Sequence, residues 1–112
     1  MLGGCSFKEQ PIQQKTATIL LKTKKMKYND SCFITVKKDK IHLSLLQLGV
    51  SILELDIYSD RVCKNFFLCM NGKEFNKEFF GVEYEDDFLY QLLLQDKIEF
   101  RDQVNGVLII LE

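Results

Sequence analysis

Along most of the chain, apolar and polar residues alternate with a period of two, and this pattern constrains the fold more than any other feature. Leu53, Leu55 and Ile57, for example, alternate with Glu54 and Asp56. Successive side chains of a β-strand point to opposite faces of a sheet, so each such segment predicts a strand with one buried and one exposed face. We therefore expect a mainly β domain built on an antiparallel sheet of six to eight strands.

Three glycine-containing pairs mark turns between these strands. Asn71-Gly72 and Asn105-Gly106 are typical of the type I′ turn that joins two paired antiparallel strands. Leu48-Gly49 interrupts the alternation between two further segments. The segment Val107–Leu111 is apolar at every position, so we expect another element to cover its second face.

One segment, near residues 86–95, departs from the period of two. Its apolar side chains recur at the spacing of a helix: Phe88, Leu89, Leu92 and Leu93. Asp86 or Asp87 can cap the start of this helix. The sequence therefore predicts one helix that covers the sheet. The sheet itself is expected to form a half-barrel or a sandwich, and the alternative fold is an immunoglobulin-like β-sandwich.

Charge is unevenly distributed along the 112 residues, although the net charge is only −1. The first 40 residues carry nine lysines and three carboxylates, whereas the remainder carries six basic and thirteen acidic residues. A basic segment attracts nucleic acid or anionic lipid, but these lysines are not interleaved with the aromatic side chains on which bases stack. We therefore expect no nucleic-acid partner, and we expect the basic strands to lie beside acidic ones.

The chain begins with MLGGCS, and the four residues LGGC resemble the lipobox of bacterial lipoproteins. In a lipobox, small side chains let a peptidase reach the backbone before the cysteine, whose thiol receives the lipid. The resemblance implies a lipid anchor on Cys5. Because Ser6 is not aspartate, it also implies a place in the bacterial outer membrane, facing either the periplasm or the surface. The membrane, reached through this anchor, is then the first expected partner.

This interpretation divides the chain into three parts. Residues 1–4 are expected to be the remnant of a signal peptide, and residues 5–15 to be the lipidated N-terminus and its tether. Residues 16–112 then form a single β-rich domain, since a chain of this size buries one core. No run of about 18 apolar residues occurs, so no membrane-spanning helix is predicted.

With Cys5 lipidated, three cysteines remain in an oxidising compartment, where at most one disulfide joins two of them. Cys63 and Cys69 are six residues apart and, on a single strand, would lie too far apart to bond. Cys32 is therefore expected to pair with one of these two, and Cys69 is the candidate partner. No CxxC motif or neighbouring histidine is present, so no metal or redox site is predicted.

The side chains typical of catalysis are also missing. His42, the only histidine, alternates with Ile41 and Leu43 and so points away from the apolar face, toward solvent. A general base needs a neighbouring nucleophile and an orienting acid, and the sequence places neither beside it. The acidic residues 83–87 lack the spacing of a calcium loop. We predict no catalytic residue, no metal site and no cofactor, and hence a protein that is not an enzyme.

A second resemblance covers about half of the chain, from residue 40 to residue 94. The segments IHLSLLQLGVSILELDIYSDRV, CMNGKEF and EDDFLYQLLLQ resemble the LolA/LolB-type lipoprotein carriers. In that family a curved antiparallel half-barrel is covered by helices, and acyl chains lie between them. The resemblance implies a lipid site lined by six residues, for which the alternative role is an ordinary packed core: Leu53, Leu55, Ile57, Phe88, Leu92 and Leu93.

Together these observations predict a lipid-anchored envelope protein with a non-catalytic binding role, carrying acyl chains or lipoproteins. The alternative function is a surface or periplasmic protein-interaction module, similar to an adhesin. The nine phenylalanines and four tyrosines favour this alternative, because exposed aromatic side chains mark contact surfaces. A lipid or another envelope protein is thus the second expected partner, and the sequence leaves the oligomeric state open.

Overall fold

The computed structural model describes residues 13–112, which form one antiparallel sheet of eight strands and two short helices. Across the sheet the strands follow the order β6-β5-β4-β3-β2-β1-β8-β7. The first six strands form a meander, and the chain then crosses over the sheet through both helices before β7 and β8 pair beside β1. The elements are β1 (Gln13–Lys22), β2 (Lys27–Val36), β3 (Ile41–Gln47), β4 (Val50–Ile57), β5 (Arg61–Lys64), β6 (Leu68–Asn71), α1 (Gly72–Phe80), α2 (Phe88–Leu93), β7 (Ile98–Asp102) and β8 (Val107–Leu111).

The architecture confirms the predicted mainly β fold and its antiparallel sheet. The immunoglobulin-like alternative is wrong, because all eight strands are hydrogen-bonded into one sheet rather than two facing ones. The strand β1 begins at Gln13, so residues 13–15, which the sequence analysis assigned to the tether, belong to the sheet. Cys5 and the rest of residues 1–12 lie outside the described residues.

The period of two in the sequence becomes an inner and an outer face of the sheet. The inner face carries the core side chains, and both helices pack on it. The outer face carries mainly polar side chains, among them Thr35, His42 and Glu54. The strands contribute these buried residues to the core: Ile19, Leu21, Cys32, Ile34, Ile41, Leu43, Leu45, Leu55, Ile57, Val62, Ile98, Val107, Ile109 and Leu111.

Two helices cover the inner face, whereas the sequence analysis predicted only one. The predicted helix is α2, which is shorter than the segment 86–95. The helix α1 begins directly after β6, where Asn71-Gly72 starts a helix instead of the predicted hairpin turn. The side chain of Asn71 accepts a hydrogen bond from the backbone N–H of Glu74 at 2.8 Å. Asn71 is therefore the N-cap of α1.

The segment between the helices is fixed to α1 by polar contacts. Asp86, which we expected to cap α2, instead accepts a hydrogen bond from the backbone N–H of Lys73 at 2.8 Å. The buried side-chain amide of Asn76 donates to the backbone oxygens of Tyr84 and Glu85. Gly81 ends α1 with a φ of 80°, the left-handed conformation that glycine adopts without strain.

The disulfide joins Cys63 to Cys69, so the predicted pairing of Cys32 with Cys69 is wrong. The sequence analysis placed Cys63 and Cys69 on one strand, but the chain turns back between them. Cys63 on β5 and Cys69 on β6 are therefore direct cross-strand partners. Cys32 is a free thiol in the core, and burial raises its pKa to about 11.

Loss of this disulfide should lower the free energy of unfolding by about 2 kcal/mol, because the bond restricts the unfolded chain over a short loop. We expect the double variant Cys63→Ser, Cys69→Ser to show this loss in urea unfolding. The reductant-treated parent protein should match it. An unchanged urea midpoint in both samples would contradict the disulfide.

Candidate functional site

Five of the six predicted lipid-lining residues lie in packed surroundings rather than at an open groove. Leu55, Ile57, Leu92 and Leu93 are buried in the core. Phe88 is half-buried in the cluster of aromatic rings between α1, α2 and β7, stacked 4.3 Å from Tyr84. Of these five residues, Leu55 and Leu93 line a void of about 20 Å³ between the helices and the sheet. That volume holds at most one water, so this interface is packed core.

Leu53, the sixth residue, lines an open groove of about 550 Å³. The groove lies on the inner face, beyond the part of the sheet that the helices cover. This volume is within the range of about 300–1,000 Å³ typical of small-molecule sites. The groove is lined by residues from β2, β3, β4, α1 and the β1–β2 turn: Met26, Lys27, Tyr28, Asn29, Asp30, Leu45, Gln47, Ile52, Leu53 and Phe79.

A β-bulge between β3 and β4 shapes one wall of the groove. The pairing of β3 with β4 shifts register between Leu45 and Leu46, so that Ile52 has no partner across the ladder. Such a bulge re-aims the side chain of the extra residue. Ile52 is 52% exposed and lines the groove beside Leu53. The apolar lining is therefore open to solvent instead of being closed under α1.

The other wall is held by polar contacts of β2. The phenol oxygen of Tyr28 lies within hydrogen-bonding distance of the backbone oxygens of Ser31 and Leu46. Burial raises the pKa of Tyr28, and the nearby carboxylate of Asp30 raises it further. The neutral phenol therefore remains a donor that ties β2 to the end of β3.

The carboxylate of Asp30 is also occupied by backbone groups. It accepts hydrogen bonds from the N–H of Ser31 at 2.7 Å and from the N–H of Leu48 at 3.3 Å. Among the described residues no carboxylate forms an ion pair with Lys27. The wall of the groove thus offers a cation to a ligand, while its one carboxylate binds the protein itself.

The mouth of the groove combines apolar and basic side chains. Leu48 and Val50, in and after the β3–β4 turn, are 92% and 65% exposed. The neighbouring β1–β2 hairpin carries four exposed lysines. These are Lys22, Lys24, Lys25 and Lys27.

Sequence reasoning missed most of this site. The sequence analysis assigned no role to Met26 and Tyr28, although both continue the alternation of Cys32 and Ile34 toward the N-terminus. Phe79 was not connected with them, because only the fold brings the end of α1 to this part of the sheet. Continuing the period of two back from Cys32 would have identified Met26 and Tyr28.

Two searches of residues 13–112 gave negative results. No group of three or more side chains in this range has an arrangement suited to a metal ion. Neither α1 nor α2 is long and apolar enough to cross a membrane.

Compared with protein-family models, with curated proteins and with solved structures, the chain has no match.

Proposed function

We propose that this protein is an outer-membrane lipoprotein, anchored through Cys5, that binds a fatty-acyl chain without catalysis. The observation that carries the proposal is the open groove, which is the one site where a predicted lining residue, Leu53, meets an accessible volume. Its walls are built mainly from the apolar side chains of Met26, Leu45, Ile52 and Phe79. Burying a methylene group in such surroundings contributes about 0.8 kcal/mol.

The polar groups of the groove favour an acyl chain with an anionic head. Lys27 lies beside the apolar lining and can neutralise a carboxylate or phosphate. Asp30 would repel such a head, but two backbone N–H groups already hold its carboxylate.

The mouth of the groove is suited to an encounter with lipid. The exposed side chains of Leu48 and Val50 are apolar, and the β1–β2 hairpin carries exposed lysines, of which Lys27 lines the groove. A lysine close to an anionic bilayer contributes about 1 kcal/mol of attraction, and apolar side chains add to it by entering the interface. An acyl chain leaving a bilayer would meet Ile52 first and then Leu53.

Binding of fluorescently labelled palmitate tests the proposal. The full chain carrying Cys5→Ser should bind the probe saturably, and Leu53→Gln should weaken binding about tenfold or more, because an amide would replace an apolar side chain of the groove. The matched control is Leu94→Gln, which changes an exposed leucine of the C-terminal end of α2, outside the groove. Equal affinities of the two variants, or no saturable binding by the parent, would overturn the groove as an acyl site.

The anchor has a separate readout. Protein expressed in a bacterium behind a complete signal peptide should carry a mass increase of a lipid on the peptide containing Cys5. The same peptide with Cys5→Ser should lack it. An unmodified Cys5 would refute the anchor while leaving the groove experiment valid.

A second function, contact with another envelope protein, is favoured by one observation. Phe66, Phe67 and Leu68 are all exposed, at and beside the β5–β6 turn. Neighbouring residues of an extended strand would place their two rings on opposite faces. Instead, the turn presents both rings to solvent. Contiguous exposed apolar side chains are typical of interaction surfaces.

A further inference from the structure

His42 lies on the outer face of β3, between two carboxylates of β4. Its Nδ1 atom is 2.7 Å from Oδ1 of Asp56, and its Nε2 atom is 2.5 Å from Oε1 of Glu54. A carboxylate only accepts hydrogen bonds, and a neutral imidazole donates from one nitrogen only. Both hydrogen bonds therefore form only when the ring carries both protons.

Other groups also contact the two carboxylates. Burial alone would raise the pKa of the Glu54 carboxyl, but hydrogen bonds from Ser44, Ser51 and His42 lower it. On the other side of the ring, Nζ of Lys40 is 3.5 Å from Oδ1 of Asp56. The carboxylate of Glu54 is thus stabilised by its hydrogen bonds, and that of Asp56 is paired with Lys40 as well as with His42.

Among residues 13–112, the strands β2 and β5 also lie beside His42 and its two carboxylates. On β2 the residue opposite is Thr35, which carries no charge, and Lys37 follows at the end of that strand. On β5 the residue opposite Asp56 is Cys63, which is held in the disulfide. The charge on His42 is therefore the variable element of this cluster.

The β5–β6 turn rests on the same cluster. The ring of Phe66 stacks on the ring of His42, with centroids 5.5 Å apart and planes inclined by 13°. The backbone N–H of Asn65 donates to the backbone oxygen of Glu54 at 2.7 Å. Both Asn65 and Phe66 have a positive φ, of 51° and 77°, a conformation that costs free energy for residues with a side chain. The disulfide between Cys63 and Cys69 closes the turn covalently, and the contacts with His42 and Glu54 fix how the turn lies on the outer face.

We propose that His42 is a pH-sensitive clamp that holds the β5–β6 turn, and with it the exposed side chains of Phe66, Phe67 and Leu68, on the outer face. The doubly protonated ring binds Glu54 and Asp56 together and offers a fixed surface to Phe66. When a rise in pH removes one proton from the ring, the nitrogen that lost it faces a carboxylate without a hydrogen bond. The turn then opens more often, and the presentation of Phe66 changes. The clamp is independent of the groove and of the anchor.

Amide hydrogen exchange of the turn tests the clamp. Asn65 and Phe67 donate backbone hydrogen bonds to Glu54 and Lys64, so their exchange reports opening of the turn. Between about pH 5 and about pH 8, the opening constant, corrected for intrinsic exchange, should increase about tenfold in the full chain carrying Cys5→Ser, which corresponds to the loss of one charge-assisted hydrogen bond. The control is the same chain with His42→Gln, which donates hydrogen bonds but does not titrate, and its opening constant should stay constant.

A second measurement needs no substitution at the clamp. Because the chain contains one histidine, its ring signals in NMR spectra belong to His42. The ring signals of Phe66 should shift with the same midpoint as those of His42. The clamp is refuted if Phe66 does not follow His42, or if the parent and the His42→Gln protein show the same pH dependence of opening.

Discussion

Gly72→Ala should destabilise the protein by at least about 3 kcal/mol, the upper end of the cost of overpacking. A Cβ atom on Gly72 would lie 2.0 Å from the backbone oxygen of Asp86 and 2.5 Å from its Cα and carbonyl carbon. These are backbone atoms, so no side-chain rotation relieves the contact. The segment around Asp86 would have to separate from the start of α1, with loss of the hydrogen bond from Lys73 to the Asp86 carboxylate.

Whether Gly72→Ala lowers or raises the free energy of unfolding distinguishes the effect of packing from that of helix propensity. Alanine is a better helix former than glycine by about 1 kcal/mol, so propensity alone predicts that the variant is more stable. The control is Gly81→Ala, where the space is open but the φ of 80° is unfavourable for alanine. It should cost only about 1–2 kcal/mol. Urea unfolding of both variants decides the matter, and a Gly72→Ala protein no less stable than Gly81→Ala would contradict the close approach of Asp86.

The strands could be predicted from the sequence because their pattern is local. Alternation along residues 53–57 defines a strand without reference to the remainder of the chain. The Asn105-Gly106 pair does lie in the turn between β7 and β8, but the predicted type I′ turn is wrong, because the turn has four residues, 103–106, and only Gly106 of the pair has a positive φ. The pair Asn71-Gly72 shows the limit of this reasoning. Asparagine followed by glycine suits both a hairpin turn and the N-terminus of a helix, and here the decisive contact comes from Asp86, fourteen residues away.

The remaining differences between the predictions and the structure come from contacts between strands. Cys63 and Cys69 bond because a turn of positive-φ residues, Asn65 and Phe66, reverses the chain between them. Asparagine alone favours such a turn, and phenylalanine does not. His42 does point away from the apolar face, as predicted, but its contacts with Glu54 and Asp56 depend on the register of β3 against β4. A sequence pattern assigns a residue to a face and leaves its neighbours on that face undetermined.

The proposed lipid site predicts different effects of truncation for two leucines on the same face of β4, Leu53 and Leu55. Leu55→Ala should lower the free energy of unfolding by about 2–5 kcal/mol, because the side chain is 1% exposed and the truncation leaves a cavity in the core. Its affinity for labelled palmitate should stay close to that of the parent. Leu53→Ala should have the opposite profile, with a smaller loss of stability and weaker palmitate binding, because Leu53 is half-buried in the wall of the groove.

The reverse result would be equally informative. If Leu55→Ala weakened palmitate binding and left stability nearly unchanged, the acyl chain would have to enter between the helices and the sheet. The void of about 20 Å³ at that interface would then have to widen when the ligand binds. Such opening would separate α2 from the sheet, and hydrogen exchange in α2 would increase with palmitate. In the packed core described above, palmitate does not increase exchange in α2, since a ligand stabilises the folded state that it binds.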